Sequence, residues 1–259
     1  MKTIEGTRQF YDDFLEKRMV SYLLNGNLRL DRAFDFALSE GAVTGLFLDF
    51  GCGIGYFSEK ILDSFPNSRG VAVDAGPANV RFAVELLKGR NIDIHQFGQL
   101  SKNDVAEHFN PIIQNEGFDF IFLIDVVEHL PKEARQEFFT ELRSVSSKNG
   151  KLIMTYPSPD YQKHLKDNNP DELQYIDEEI PSETIIKECK NAGWTLRTFR
   201  SADVWLENQY FHFCFTCAHS ISPINVKSKP KKYLWQRGMN RIKRARRKKM
   251  VGKIMRRIV

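Results

Sequence analysis

Residues 46–74 read LFLDFGCGIGYFSEKILDSFPNSRGVAVD, and the prediction of the fold rests on this stretch. An apolar run ends at Asp49, a glycine-rich turn and a helix-forming stretch follow, and a second apolar run ends at Asp74. This order of strand, glycine turn, helix, strand and acid is typical of the first half of a nucleotide-binding α/β sheet. The glycines let a ligand approach the backbone, and the helix N-terminus offers unpaired N–H groups beside it. We therefore expect Asp74 to accept hydrogen bonds from ribose hydroxyls.

The spacing of the glycines separates two kinds of nucleotide site. The dinucleotide fingerprint needs a third glycine at position 56, where this chain has Tyr56. Residues 49–55 have the form Asp-x-Gly-x-Gly-x-Gly instead, which resembles motif I of the class I S-adenosylmethionine (SAM) methyltransferases. The resemblance implies SAM as cofactor and an α/β, Rossmann-like fold. That fold is a seven-stranded, mostly parallel sheet with an antiparallel last strand and helices on both faces.

The resemblance also implies which residues bind the cofactor. In the family the glycine loop supports the amino-acid end of SAM, and the acid after the second strand holds the ribose. The positions that match these and neighbouring contacts are Asp49, Gly51, Cys52, Gly53, Gly55, Asp74, Ala75, Gln99, Asp125 and Val126. Many relatives carry an acid after the third strand, whereas this chain has Gln99, which we expect to hydrogen-bond the adenine.

A second family motif lies in residues 118–131, FDFIFLIDVVEHLP. The apolar run predicts a buried parallel strand, and the segment DVVEHL resembles motif IV of small-molecule methyltransferases. In the family this loop lines the cleft where the methyl group meets the acceptor. A hydroxyl acceptor benefits from a general base, and the candidates are His129 in this loop and His164 farther along. In some family members the histidine of this motif orients the loop without acting as a base, so that role stays open.

The acids of the same loop have a second interpretation. An acid-x-x-acid-His segment, here Asp125, Glu128 and His129, resembles the divalent-metal ligands of ubiquinone-pathway O-methyltransferases and small-RNA 2′-O-methyltransferases. Oxygen and imidazole ligands suit Mg²⁺ or Mn²⁺. The first acid is Asp rather than Glu, which shortens its reach. We therefore favour a site with no metal and keep a divalent ion as the alternative.

The patterns divide the chain into three parts. Residues 1–45 hold two predicted helices, which in the family cap the SAM cleft; packing against the sheet edge is the alternative. Residues 46–223 form the methyltransferase domain, and its polar, proline-punctuated stretch 157–181 predicts a lid or substrate insertion. Residues 224–259 form a basic tail. Inside the domain, strands are expected at 46–50, 70–74, 92–97, 118–124, 151–156, 194–200 and 210–217, and helices at 132–147 and 182–192.

Charge is distributed unevenly along the chain. Residues 227–259 hold 15 of the 38 lysines and arginines and no acid, so the other 23 bases face all 33 acids. Bases interleaved with apolar residues and Trp235 favour an anionic membrane surface as partner; nucleic acid and a solvated tail are the alternatives. No apolar run is long enough to span a bilayer, and the N-terminus lacks a signal-peptide pattern. We expect a cytoplasmic protein that is peripheral at the inner face of the cell membrane.

These patterns predict SAM-dependent methyl transfer and leave several acceptor classes open. Residues 156–177 are similar to a segment in methyltransferases of bacterial polysaccharide and lipopolysaccharide assembly, and their acids, amides and tyrosines can bind sugar hydroxyls. We therefore expect O-methylation of a sugar in a bacterial surface glycan or lipid-linked glycan. The alternatives are RNA methylation with the tail as a clamp and methylation of a quinone-like lipid. The intact cofactor loop disfavours a non-enzymatic SAM-binding protein, and no pattern specifies an oligomeric state.

Overall fold

The computed structural model describes residues 21–97, 104–114, 116–170, 173, 177–217 and 249–256. Its strands are β1 Leu46–Phe50, β2 Arg69–Asp74, β3 Ile92–Gln96, β4 Phe118–Ile124, β5 Ser146–Pro157, β6 Thr195–Ala202 and β7 Tyr210–Thr216. They form one seven-stranded sheet in the order β3-β2-β1-β4-β5-β7-β6. Strands β1 to β5 pair in parallel, and β7 is antiparallel to both of its neighbours. The predicted fold class is confirmed.

The helices connect these strands across both faces of the sheet. They are α1 Leu28–Ser39, α2 Tyr56–Ser64, α3 Pro77–Leu86, α4 Asp104–Ile113, α5 Lys132–Ser144, α6 Pro159–Asn168 and α7 Ser182–Asn191, with a 3₁₀ turn at Val127–His129. Residues 21–25 and 249–256 are also helical. Among the helices in these described ranges, none is both long and apolar enough to cross a bilayer.

The sheet is buried on both faces, which explains why its central strands are apolar almost throughout. One hydrophobic cluster packs α4, α5 and α7 against the sheet, and it includes Phe109, Phe138 and Trp194. The other packs α1, α2 and α3 against the opposite face and includes Phe36 and Phe82. The strand order reverses between β1 and β4, so a crevice opens there at the carboxyl ends of the strands.

The predicted boundary between α5 and β5 is wrong. We expected the helix to continue to Ser147, but it ends at Ser144 and the strand begins at Ser146. The strand then bulges, because Phe118 pairs with Ser146 while Phe120 pairs with Lys151. Gly150 lies in the bulge, where an added Cβ would come 2.8 Å from the Phe118 carbonyl oxygen. The glycine that looked like a helix stop instead permits close approach of β4 and β5.

The stretch 157–181, expected to be a lid or insertion, contains helix α6. Ser158 is its N-cap, and the serine hydroxyl accepts a hydrogen bond of 3.2 Å from the Tyr161 backbone N–H. A proline follows in the first turn, where its missing N–H costs nothing. This stretch therefore begins as an ordered helix that starts directly after β5.

The last described part of the basic tail packs on the domain. Val251 and Ile254 are buried in the same hydrophobic cluster as α1, α2 and α3. Lys249, Lys253 and Arg256 lie exposed on the same helix. The helix therefore turns its apolar side to the body and its bases to solvent, while residues 224–248 and 257–259 lie outside the described part of the chain.

Replacing Ile254 with Ala should lower the free energy of unfolding, because the side chain is only 4% exposed and its removal leaves a cavity. Core isoleucine-to-alanine changes cost about 2–5 kcal/mol, and we expect about 2 kcal/mol at this terminal helix. Lys253→Ala, on the exposed side of the same helix, should stay within about 0.5 kcal/mol of the parent chain. Urea unfolding followed by circular dichroism measures both variants. Equal stability of the two would contradict docking of this helix on the core.

Candidate functional site

A glycine turn follows the carboxyl end of β1, as the sequence predicts. Gly51, Gly53 and Gly55 have φ angles of 77°, 53° and 81°, a region that favours glycine. A side chain at Gly51 would also come 2.5 Å from Cγ2 of Val126. At Gly53 an added Cβ would meet nothing within 4 Å, so this glycine borders open space. The turn thus leaves room for a ligand beside its middle glycine.

The turn is fixed to the end of β2 by backbone hydrogen bonds. The N–H groups of Gly51 and Cys52 both donate to the Val73 carbonyl oxygen, at 2.8 and 2.9 Å. The Cys52 thiol is buried, and burial together with the nearby carboxylates of Asp74 and Asp49 raises its pKa well above the usual value. Cys52 therefore stays a neutral thiol that packs beneath the turn.

Asp74 is the acid at the tip of β2, and three N–H donors converge on its carboxylate. Gly53 N–H donates to Oδ2 at 2.8 Å, while Gly76 N–H and Asn79 Nδ2 donate to Oδ1 at 2.8 and 2.9 Å. Burial raises the pKa of Asp74, and these hydrogen bonds oppose the rise. Each carboxylate oxygen can accept more than one hydrogen bond, so the group keeps acceptor capacity for ligand hydroxyls. Ala75 follows it, half-buried, at the start of the next loop.

Asp49 lies at the other side of the turn and is almost fully buried. Its carboxylate accepts a hydrogen bond of 2.5 Å from the Ser58 hydroxyl of α2. Burial raises the pKa of Asp49 to about 7, although the Ser58 hydroxyl lowers it and the charge of Asp74 raises it further. Asp49 therefore ties β1 to the helix that follows the turn, and it contributes to the cleft through that support.

The loop after β4 begins at Asp125, which is held from two sides. Thr155 Oγ1 donates to Asp125 Oδ1 at 2.9 Å, and the Arg29 guanidinium forms an ion pair with Oδ2. Asp125 has a φ of 57°, a left-handed conformation that places this carboxylate toward α1. Val126 follows it and lies against Gly51. Arg29 therefore connects α1 directly to the loop after β4, a contact that sequence patterns did not indicate.

His129 lies between two carboxyl groups in the same loop. Its Nδ1 is 3.2 Å from Oδ1 of Asp177, and its Nε2 is 3.9 Å from Oε1 of Glu128. The side chain of Glu128 is 2% exposed, and burial raises its pKa to about 7, an effect that the charge of His129 opposes. Oε2 of Glu128 has no hydrogen-bond partner within the described residues. The contact of Asp177 with His129 was not predicted from the sequence, because Asp177 is one of several acids in the stretch 157–181 and nothing in the pattern distinguishes it.

His164, the second candidate base, lies apart from this pair on the exposed surface of α6. Its ring is stacked on Tyr161, with centroids 6.2 Å apart, and its side chain contacts Asn168 in the next turn. Tyr161 in turn packs against the buried Tyr210 at 5.8 Å. Burial raises the pKa of Tyr210, and the charge of Arg29 lowers it. The charge of Glu128 also raises the pKa of Tyr210, so this tyrosine lies within electrostatic range of the motif IV loop.

The metal alternative does not fit this arrangement. Both carboxylate oxygens of Asp125 are occupied by Arg29 and Thr155 rather than turned toward a shared ion. In the part of the chain that the structure describes, no three His, Cys, Asp or Glu side chains are grouped to hold a metal ion. Gln99, the predicted adenine contact, lies outside the described residues.

Comparisons with known proteins agree with this cleft. The family model described as a methyltransferase domain matches residues 48–152, which run from β1 into β5. The chain is also 34% identical over 108 residues to malonyl-[acyl-carrier protein] O-methyltransferase 1 from Ilyobacter polytropus. That match covers 42% of this chain and 36% of the relative, so the chain spans about a third of the length of the curated relative that it matches.

Solved structures share the fold. The PH0226 protein from Pyrococcus horikoshii superimposes with a TM-score of 0.60 at 18% identity, covering 79% of this chain and 98% of its own. Magnesium protoporphyrin IX methyltransferase from Synechocystis, solved with bound S-adenosylhomocysteine (SAH), superimposes with a TM-score of 0.59 at 16% identity, covering 82% and 96%. The chain therefore contains a methyltransferase domain over residues 48–152, and its sheet topology and glycine turn are those expected of the class I SAM-dependent methyltransferases.

Proposed function

We propose that the protein transfers the methyl group of SAM to an oxygen atom of a sugar in a glycan. SAM as the methyl donor is supported by the position of Asp74 beside an open glycine turn. Its carboxylate is held there by hydrogen bonds from Gly53 N–H, Gly76 N–H and Asn79. This arrangement offers close backbone approach for the amino-acid end of SAM and a carboxylate for its ribose. Asp125 and Val126 border the same crevice from the β4 side.

Methyl transfer requires alignment more than covalent help from the protein. An acceptor oxygen attacks the methyl carbon while the carbon–sulfur bond breaks, and the electron pair of that bond goes to sulfur, which leaves SAH. Holding the two reactants in line supplies much of the rate. For a hydroxyl acceptor, a base that takes the proton adds to this. His129 is our candidate for that base, and the proton then resides on its Nε2.

An oxygen acceptor is supported by His129, a candidate base for a hydroxyl proton in the loop after β4. It is also supported by the relative that is an O-methyltransferase. A sugar is supported by the polar groups that α6 and β7 bring to the acceptor side. Gln162 of α6 is 1% exposed, and its Oε1 has no hydrogen-bond partner within the described residues. Tyr161 is half-buried and packs against the buried Tyr210, and its ring adds an aromatic surface that a sugar ring can contact.

The basic tail supports an anionic membrane surface as partner. In its described part, Val251 and Ile254 are buried in the core, while Lys249, Lys253 and Arg256 face solvent. In this helix the attraction to an anionic membrane is therefore electrostatic, since the bases and not the apolar residues face outward. Such binding would hold the enzyme close to a lipid-linked glycan. The same bases suit the phosphates of RNA, which makes RNA methylation the second candidate function.

Radiolabelled methyl transfer tests the acceptor class directly. Purified protein is incubated with methyl-labelled SAM and with glycan, lipid and RNA fractions of a bacterial cell, and the label is counted in each. We expect label in the glycan or lipid-linked glycan fraction. Label confined to RNA would replace the proposal with the second candidate, and label in a quinone fraction would assign a lipid acceptor.

Replacing Asp74 with Ala should weaken SAM binding, because it removes the proposed ribose acceptor and the anchor of Gly53. Hydrogen bonds to a charged group contribute about 1.5–3 kcal/mol, which corresponds to roughly a tenfold to hundredfold rise in Kd. Asp93→Ala, an exposed acid on β3, is the matched control and should leave the Kd unchanged. Isothermal titration calorimetry with SAM and SAH measures both. Unchanged binding in Asp74→Ala would refute the ribose role.

Replacing His129 with Ala should lower turnover far more than SAM affinity. Loss of a general base costs about 10²–10⁴-fold in rate. Labelled methyl transfer to the accepting fraction gives kcat, and calorimetry gives the Kd for SAM. His164→Ala is the comparison, and a larger loss in that variant would assign the base to His164 instead. Full activity in His129→Ala would eliminate His129 as the base.

Replacing Lys249, Lys253 and Arg256 together with Gln should weaken binding to anionic liposomes. Each base near such a surface contributes on the order of 1 kcal/mol, so the triple change should cost roughly a hundredfold in affinity at low salt. Cosedimentation with vesicles of phosphatidylglycerol and phosphatidylcholine measures the effect.

The matched control for this variant makes the same charge change elsewhere on the surface. Lys88, Lys163 and Lys190 are exposed, and their replacement with Gln should leave vesicle binding close to that of the parent chain. Tight binding to structured RNA at physiological salt without any vesicle binding would contradict the membrane proposal.

A further inference from the structure

We propose that Asp177 is a positioning residue that orients the His129 ring and fixes its tautomer for proton acceptance. This inference rests on the proposed function above, since it concerns the proton that a hydroxyl acceptor releases. Asp177 belongs to the stretch 157–181, far from the motif IV loop in sequence, and the fold brings the two together.

The geometry places the Asp177 carboxylate on one nitrogen of the ring. Oδ1 of Asp177 is 3.2 Å from Nδ1 of His129, within reach of a charge-assisted hydrogen bond. A carboxylate at Nδ1 favours the neutral tautomer that carries its hydrogen there. The lone pair of that tautomer lies on Nε2, where a proton can be taken up. A nucleophile, a histidine and a third group that orients the histidine form the same arrangement in many hydrolytic enzymes.

The segment that carries Asp177 is held against the loop it serves. The next residue, Glu178, donates its backbone N–H to the Glu128 carbonyl oxygen at 2.9 Å. Glu179 forms an ion pair of 2.5 Å with Lys166 on α6. Ile180 is 1% exposed and is part of the hydrophobic cluster beneath α5 and α7. These contacts fix the backbone on the C-terminal side of Asp177, so the carboxylate has a defined position.

The contact between Asp177 and His129 is more buried than an ordinary surface ion pair, which favours an orienting role. The Asp177 side chain is 10% exposed, so its contact with His129 is largely shielded from water. The His129 side chain keeps 18% of its surface exposed, which leaves the ring within reach of a molecule in the cleft. Glu128, on the opposite side of the ring, is 3.9 Å from Nε2 and is the more distant carboxyl group.

Nitrogen NMR of the full chain tests the tautomer without any acceptor. Histidines are labelled with ¹⁵N, and the His129 ring is assigned by its absence in His129→Gln. We expect the parent chain and Glu179→Gln, a matched loss of a nearby acid, to hold the Nδ1–H tautomer. In Asp177→Asn the population should shift toward Nε2–H. The Nε2–H tautomer in the parent chain, or an unchanged tautomer in Asp177→Asn, overturns the proposal.

Kinetics of labelled methyl transfer give an independent readout. Asp177→Asn should lower kcat by about 10-fold to 100-fold with the SAM Kd unchanged, and Asp177→Glu should recover part of the loss. The double variant with His129→Ala should be no slower than His129→Ala alone, because the two residues act as one unit. Additive losses overturn the coupling. Failure of the proposed function shows as no transfer to any fraction, and the NMR comparison then still decides the role of Asp177.

Discussion

The glycine turn has its shape because backbone N–H groups at the end of β1 need acceptors and find them on β2. Gly51 and Cys52 donate to the Val73 carbonyl oxygen, and Gly53 donates to the carboxylate of Asp74. The same carboxylate accepts from Gly76 and therefore also fixes the start of α3. One acid thus sets the relative positions of the turn, the second strand and the third helix. These hydrogen bonds hold the turn against β2, and the side of the turn at Gly53 stays uncovered, with no atom within 4 Å of an added Cβ.

A second set of contacts joins parts that are distant in the chain. Arg29 of α1 pairs with Asp125, Asp177 contacts His129, and Tyr210 of β7 packs against Tyr161 of α6. Each pair joins segments that are far apart in the chain.

The fold and the glycine turn were predictable from the sequence because their signals are local. The apolar runs of β1 and β4 and the glycines between residues 51 and 55 specify strand and turn within a few residues of each other. The surroundings of the loop after β4 were less predictable, because Arg29 and Asp177 reach it through tertiary contacts that leave no periodic pattern. The start of β5 was misjudged for a related reason. In a sequence, a glycine such as Gly150 is equally typical of a helix stop and of a β-bulge. Only the pairing of Phe118 with Ser146 in the folded sheet distinguishes the two.

The left-handed backbone at Asp125 limits how this enzyme could change its chemistry over evolution. Among residues with a side chain, aspartate and asparagine adopt this conformation more readily than glutamate does. Substitution by glutamate, as in the metal-dependent relatives that the loop resembles, would meet backbone strain at φ 57° and would also disturb the partners Arg29 and Thr155. A metal ion bound to Asp125 would have to displace the Arg29 guanidinium of α1 and reshape the loop. The ion pair between Arg29 and Asp125 therefore opposes a change of this loop into a metal site, because a metal ligand at position 125 would lose the guanidinium as its partner.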